Sequence, residues 1–179
     1  MKRLNVILSL SIAAMFVFSA VASEQEAPKD FTLKPIFGEK PFQLSKAKGK
    51  YVAIHFLLKT ECPICLRHVR AYFEHEKDHS DVIQLYVKPD TPGEIKAWAS
   101  KIPQGDMEKA PEIYHDPDAK LAKQFGVPGG YKFHGQVVHF PAFVLLDPNG
   151  KEVFRYVGKN NSERYSYEKF VKKMEELKS

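Results

Sequence analysis

Cys62 and Cys65 are the two cysteines of this chain, spaced as Cys62-Pro63-Ile64-Cys65. A pair with this spacing can exchange disulfides, supply half of a structural zinc site, or close a permanent short bridge. No second pair exists to complete a zinc site. At the start of a helix, the first thiol would face the positive end of the peptide dipoles, which favours the thiolate that attacks disulfides and binds soft metals. The second thiol can then attack the first sulfur and release a mixed disulfide.

The elements around the pair have to place it there. Tyr51 to Leu58 is a nearly continuous apolar run, as expected of a central strand buried on both faces, and it ends just before the cysteines. From Pro63 to about His79, Ile64, Cys65, Val69, Tyr72 and Phe73 recur at helical spacing, and Pro63 suits a first helical turn. Before the strand, Phe31-Thr32-Leu33 and Phe42-Gln43-Leu44 predict a short hairpin. After the helix, Val82 to Val87 predicts a second core strand, followed by a helix capped by Asp90 or Thr91 and carrying Ile95, Trp98, Ala99 and Ile102. Ile113 to His115 and a helix over 118–125 lead into a glycine-rich loop, Gly126 to Gly130. Pro141 to Leu146 is the third core strand, joined through Asp147-Pro148-Asn149-Gly150 to Glu152–Gly158, and a helix over about 163–177 closes the chain. Strands alternating with helices and then a hairpin predict an α/β domain, a mixed sheet covered on both faces.

Lys2 and Arg3 precede the largely apolar run Leu4 to Phe18, and Ala20-Val21-Ala22 has the small-x-small form cut by signal peptidases. Residues 1–22 are therefore expected to be a signal peptide, 23–30 a polar leader and 31–179 the folded domain. An uncleaved signal would instead leave a membrane anchor, since a spanning helix needs about 20 apolar residues. No cysteine lies at the cleavage site for lipid attachment. Export, most simply to a periplasm, puts the dithiol where disulfides persist, so it either acts as an oxidant or needs a dedicated electron donor. Residues 1–22 hold two of the 27 basic and none of the 22 acidic residues, leaving +3 on the remainder. This small excess argues against a nucleic-acid partner. The interleaved charges from Glu163 to Lys178 read as solvated surface.

With its dithiol after the first core strand, the segment Ile113 to Val127 before the third, and Pro141-Ala142-Phe143-Val144-Leu145-Leu146-Asp147 followed by Asn149-Gly150, the chain resembles the thioredoxin-like superfamily. The similarity spans about residues 31–178 and is nearest in kind to the exported ResA and TlpA reductases and the neighbouring redoxins. It implies a thioredoxin-like fold with an N-terminal hairpin extension and a thiol-disulfide oxidoreductase needing no cofactor. The partners it implies are a protein disulfide or dithiol and a redox partner protein. Cys62 becomes the nucleophile and Cys65 the resolving thiol. Pro141 matches the family's cis proline, which faces the cysteines and holds an extended substrate by strand-like hydrogen bonds.

Several side chains qualify this resemblance. Glu61 stands where the family has tryptophan. A carboxylate there raises the thiol pKa, against the pull of Lys59 and the helix dipole, and it is either a proton relay or a solvated side chain. His55 is near the place of the thioredoxin buried acid, a second candidate relay or else a core histidine. His68 follows Cys65 by one helical turn, beside the pair or in solvent. His139, eight residues before Asp147, resembles the histidine of the Sco copper chaperones, which would make Cys62, Cys65 and His139 a copper site with His134 as an accessory ligand. Sco proteins, however, place three residues between their cysteines. A further alternative is a thiol peroxidase, but peroxiredoxins carry proline seven and threonine or serine three residues before the peroxidatic cysteine. Those places hold His55 and Lys59 relative to Cys62, and Leu58 and Cys62 relative to Cys65.

Overall fold

A computed structural model describes residues 28–59, 62–102, 110–133 and 136–179. In chain order the elements are β1 (Thr32–Pro35), β2 (Phe42–Gln43), β3 (Tyr51–Phe56), α1 (Pro63–Phe73), β4 (Val82–Lys88), α2 (Pro92–Ala99), β5 (Ile113–His115), α3 (Lys120–Gln124), β6 (Gly129–Phe133), β7 (Gln136–His139), β8 (Ala142–Leu146), β9 (Glu152–Val157) and α4 (Tyr167–Lys178). Seven strands form one sheet in the order β2-β1-β5-β4-β3-β8-β9. β3 runs parallel to β4 and antiparallel to β8, so the mixed sheet is as the sequence predicts.

The alternation of side chains along β3 divides the core. Val52, Ile54 and Phe56 join Leu85, Val87, Val144 and Leu146 on the face covered by Leu121, Ala122 and Phe125 in and just after α3. Ala53 faces the other way, with Tyr86, Phe143 and Leu145, under Val69 and Tyr72 of α1, Ile95 and Trp98 of α2, and Phe170 and Met174 of α4. The cysteines belong to this second face.

Local signals set most of the element ends. Thr91 caps α2 reciprocally with Glu94, its hydroxyl accepting from Glu94 N–H while the Glu94 carboxylate accepts from Thr91 N–H at 2.9 Å. The β8–β9 turn is closed by Asp147 Oδ1, which accepts from Asn149 and Lys151 N–H, each at 2.9 Å, with Gly150 in the left-handed region at φ 84°.

Three expectations change. The glycine-rich loop continues into a separate hairpin, β6 pairing antiparallel with β7, because Gly130 leaves room for the Phe140 ring. α1 stops at Phe73 and gives way to a 3₁₀ turn over Glu76–His79. α4 begins at Tyr167, not near Glu163, because the Ser166 side chain caps it by accepting from Lys169 N–H.

Candidate active site at the N-terminus of α1

Cys62 is the N-cap of α1, Pro63 opens the helix, and Cys65 lies within its first turn. The two sulfurs form a disulfide with the Cα atoms 5.2 Å apart. Cys62 Sγ accepts from the Cys65 N–H at 3.1 Å, one of the donors that a helix start leaves free. Cys62 retains 9% of its exposure and Cys65 none, so of the two residues only the first offers any surface to an outside reagent.

Arg164 completes the site from the other end of the chain. Its Nη2 donates to Cys62 Sγ at 3.2 Å and to Cys65 Sγ at 3.1 Å. Nη1 is anchored on Asn161 O at 3.1 Å and Glu163 O at 2.7 Å. The segment that carries it is closely built. Glu163 accepts from Lys159 N–H at 2.9 Å and Tyr156 O–H at 3.2 Å, while Asn160 Oδ1 accepts from Ser162 and Glu163 N–H. Tyr72 O–H donates to Tyr165 O at 2.9 Å and ties the segment to α1. A Cβ on Gly158 would stand 2.9 Å from both Pro141 Cγ and Glu163 O, so glycine is what allows this close approach. Sequence reasoning missed Arg164, which lies at the start of the charged stretch from Glu163 to Lys178 read as solvated surface. Nothing in its local pattern marks it, and only the tertiary fold brings it to the sulfurs.

His55 and His68 do come together. His68 lies below Cys65 on α1, buried, with Nε2 2.8 Å from His55 Nδ1, while His55 Nε2 lies 2.8 Å from Gln84 Oε1. If the Gln84 carbonyl accepts from His55 Nε2–H, then His55 Nδ1 is the acceptor for His68 Nε2–H, and both rings are neutral. Burial holds His55 down to about 4 against the support of Gln84. His68 is pushed well down by burial first, then by the nearby His55 and Arg164. His68, Arg164, Pro141, Tyr156 and Tyr165 line one small hollow beside the dithiol helix.

Pro141 corrects the expectation of a cis proline. No cis peptide bond occurs among the described residues, so Pro141 is trans, in extended chain paired on both sides. Phe140 N–H donates to Pro128 O, Pro141 O accepts from Gly158 N–H, each at 2.9 Å, and Phe140 O lies 2.7 Å from His139 Nδ1. These backbone groups serve the protein's own chain and are not open to a substrate strand.

His139, the third ligand of the copper expectation, does not gather with the cysteines in this disulfide form. Among the described residues no three His, Cys, Asp or Glu side chains gather in a metal-sized group, and Cys62, Cys65 and His139 are no exception. The bond to Phe140 O fixes the proton on His139 Nδ1 and turns the ring toward a cleft of about 370 Å³ lined by Lys59, Lys123, Val127 and Val138. Burial lowers its pKa more than the Phe140 bond raises it. Glu61 and His134, the other candidates, lie outside the described residues.

The AhpC/TSA family model matches residues 24–153. This chain belongs to the AhpC/TSA family. It is 32% identical over 110 residues to a putative peroxiredoxin bcp of Haemophilus influenzae, covering 60% of this chain and 69% of that protein. It is also 32% identical over 114 residues to a chloroplastic peroxiredoxin Q of Populus jackii. That match takes in 61% of this chain, which spans only about half, 49%, of the poplar relative.

Among solved structures, the chain resembles a yeast mitochondrial 1-Cys peroxiredoxin with TM-score 0.71 at 13% identity, over 87% of this chain and 75% of the other. It resembles the exposed lipoprotein thioredoxin of Streptococcus pneumoniae with TM-score 0.62 at 25% identity, over 83% and 99%. The fold is therefore thioredoxin-like, as the sequence implied. The AhpC/TSA assignment sits beside an unusual cysteine setting, with His55 and Lys59 where the peroxiredoxin pattern has proline and threonine.

Proposed function

We propose that the chain is an exported thiol-disulfide oxidoreductase that works by dithiol-disulfide exchange through Cys62 and Cys65. The observation that carries this reading is the disulfide at the start of α1 with the Arg164 guanidinium donating to both of its sulfurs. In the reduced protein, the Arg164 cation and the Cys65 N–H stabilise a Cys62 thiolate by charge-assisted hydrogen bonds. That thiolate attacks a partner disulfide, a Cys62 mixed disulfide forms and one partner thiolate leaves. Cys65, sealed from solvent, then attacks Cys62 Sγ, closes the internal disulfide and releases the second partner thiolate. The signal-like residues 1–22 support a periplasmic location.

A Cys65→Ser variant should trap the partner on Cys62. The expected result is a Cys62-dependent adduct, lost on reduction and recovered from periplasmic extract on a chain beginning at Ser23. Absence of any such adduct, together with a wild-type protein inert toward a test disulfide, would rule the proposal out.

The resemblance to the two peroxiredoxins favours a second reading, peroxide reduction at the same cysteine. Cys62 thiolate would attack a peroxide oxygen and become a sulfenic acid as water or an alcohol leaves. Condensation with Cys65 would then give the disulfide and a water. Rapid oxidation of the reduced protein by stoichiometric hydrogen peroxide, faster than its reaction with protein disulfides, would select this reading over exchange.

A further inference from the structure

Lys88, the last residue of β4, is completely buried. An ammonium without water is costly unless bonds replace its hydration, and three contacts do so here. Nζ donates to Leu58 O, pairs with Asp90 Oδ2 at 3.2 Å, and lies 4.4 Å from the centre of the Trp98 ring. Trp98 in turn directs its indole Nε1–H at Cys62 O, 3.5 Å away. Leu58 lies near the start and Cys62 at the end of the connection from β3 to α1. One buried assembly therefore holds a carbonyl toward each end of the segment that delivers the first cysteine. Stability alone gives no reason for a lysine here, because an apolar side chain of similar length would fill the space without the desolvation cost.

We infer that Lys88, acting through Leu58 and Trp98, is a positioning residue that sets the reactivity of Cys62. The inference rests on the thiol chemistry proposed above. Cys62 Sγ is within reach of the Cys65 N–H and Arg164 Nη2 only while this connection keeps its place, and those donors are what stabilise a thiolate. Burial lowers the Lys88 pKa, and Asp90, first by its charge and then by its hydrogen bond, opposes this, while Arg164 and Glu94 act on the ammonium with opposite signs. A released connection weakens the thiolate and so makes the reduced form less stable relative to the disulfide.

The test uses the full chain, reduced, and reads Cys62 alkylation by iodoacetamide against pH and the dithiol-disulfide equilibrium with glutathione. Lys88→Met with Asp90→Asn removes the ammonium and its counter-charge together, leaving no lone buried carboxylate. Alkylation at neutral pH should slow about tenfold, its midpoint moving up about one unit. The equilibrium should shift about tenfold toward the disulfide, about 30 mV for a two-electron couple. Trp98→Phe keeps the ring beside Lys88 but removes the N–H aimed at Cys62, and should move both readouts the same way, about threefold by the weaker bond. Wild-type values in a folded double variant overturn the inference, and if the double variant does not fold, wild-type values in Trp98→Phe overturn it. Neither readout needs a partner, so failure here is distinct from failure to trap a Cys62 adduct.

Discussion

The two faces of the central sheet are built on different terms. On the face covered by α3, the side chains that β3, β4 and β8 turn inward, Val52, Ile54, Phe56, Leu85, Val87, Val144 and Leu146, are all apolar. On the face covered by α1, α2 and α4, the same strands bury His55, Gln84, Tyr86 and Lys88. Each buried polar group carries a desolvation cost that an apolar residue in its place would not. Within the central strands β3, β4 and β8 these costs fall only on the side where the sulfurs lie; on the other side the buried Asp116 and His139 stand outside those strands, Asp116 accepting from Leu121 and Ala122 N–H and His139 bonding Phe140 O. The difference teaches that one face supplies stability and the other spends part of it on arranging donors around Cys62 and Cys65, as buried polar networks at functional sites do.

The largest effect that would break this contrast is a cavity in the apolar face. Phe56→Ala should cost about 3–5 kcal/mol of stability in urea unfolding, since Phe56 is almost fully buried. Cys62 alkylation in the folded fraction should keep its wild-type pH profile. A profile that shifts along with the stability would show that the two faces are not separable.

The next effect belongs to the polar face and appears in acid. Burial holds His55 at about 4, against about 6.5 for a free histidine, and lowers His68 in the same direction. Between these values the unfolded chain binds protons that the folded chain refuses, so stability is complete above about pH 6.5 and falls as pH drops toward 4. The loss from His55 alone is on the order of 3 kcal/mol at the bottom of this window. Unfolding free energies measured from pH 7.5 to 4.5 should show that slope, and His55→Gln should flatten it. Asp81, held low chiefly by its hydrogen bond to Lys178, acts only in the carboxylate range beneath this window. A slope unchanged by His55→Gln would assign the acid sensitivity elsewhere.

What the sequence made legible follows the range of the signals. β3, α1, α2 and the β8–β9 turn were readable because apolar runs, Pro63, the Thr91–Glu94 box and Asp147-Pro148-Asn149-Gly150 act within a few residues. The β6–β7 hairpin was not, since its glycines read as a loop until Phe140 is seen packed on Gly130. In the site, the cysteine pair and the neighbourhood of His55 were readable from their places along strand and helix. The family analogy put Pro141 in cis and His139 with the cysteines, whereas Pro141 is trans and His139 bonds Phe140 O, because which backbone groups are already paired is decided by strands far away in sequence. Arg164 and Lys88 escaped for a related reason. A charged residue in a charged run, or at a strand end, carries no local mark of being turned inward.

Arg164 gives the smallest of these effects and the sharpest test of the contrast. Its guanidinium lies 99 residues along the chain from Cys65 and meets both sulfurs, so it touches chemistry while contributing little apolar area. A charge-assisted hydrogen bond contributes about 1.5–3 kcal/mol, and here that energy favours the thiolate over the thiol. Arg164→Met, which keeps much of the side-chain length, should therefore raise the Cys62 pKa by about one to two units and slow its alkylation at neutral pH by about ten- to a hundredfold. The unfolding free energy of the oxidised protein should move by less than about 1 kcal/mol, since a disulfide carries no charge for the guanidinium to pair with. The pH profile of alkylation and the urea midpoint, measured on the same preparation, separate the two. A large loss of stability with an unchanged profile would make Arg164 a structural anchor of the segment before α4. A shifted profile at constant stability would place its function at the sulfurs, on the face where His55, Gln84 and Lys88 are buried.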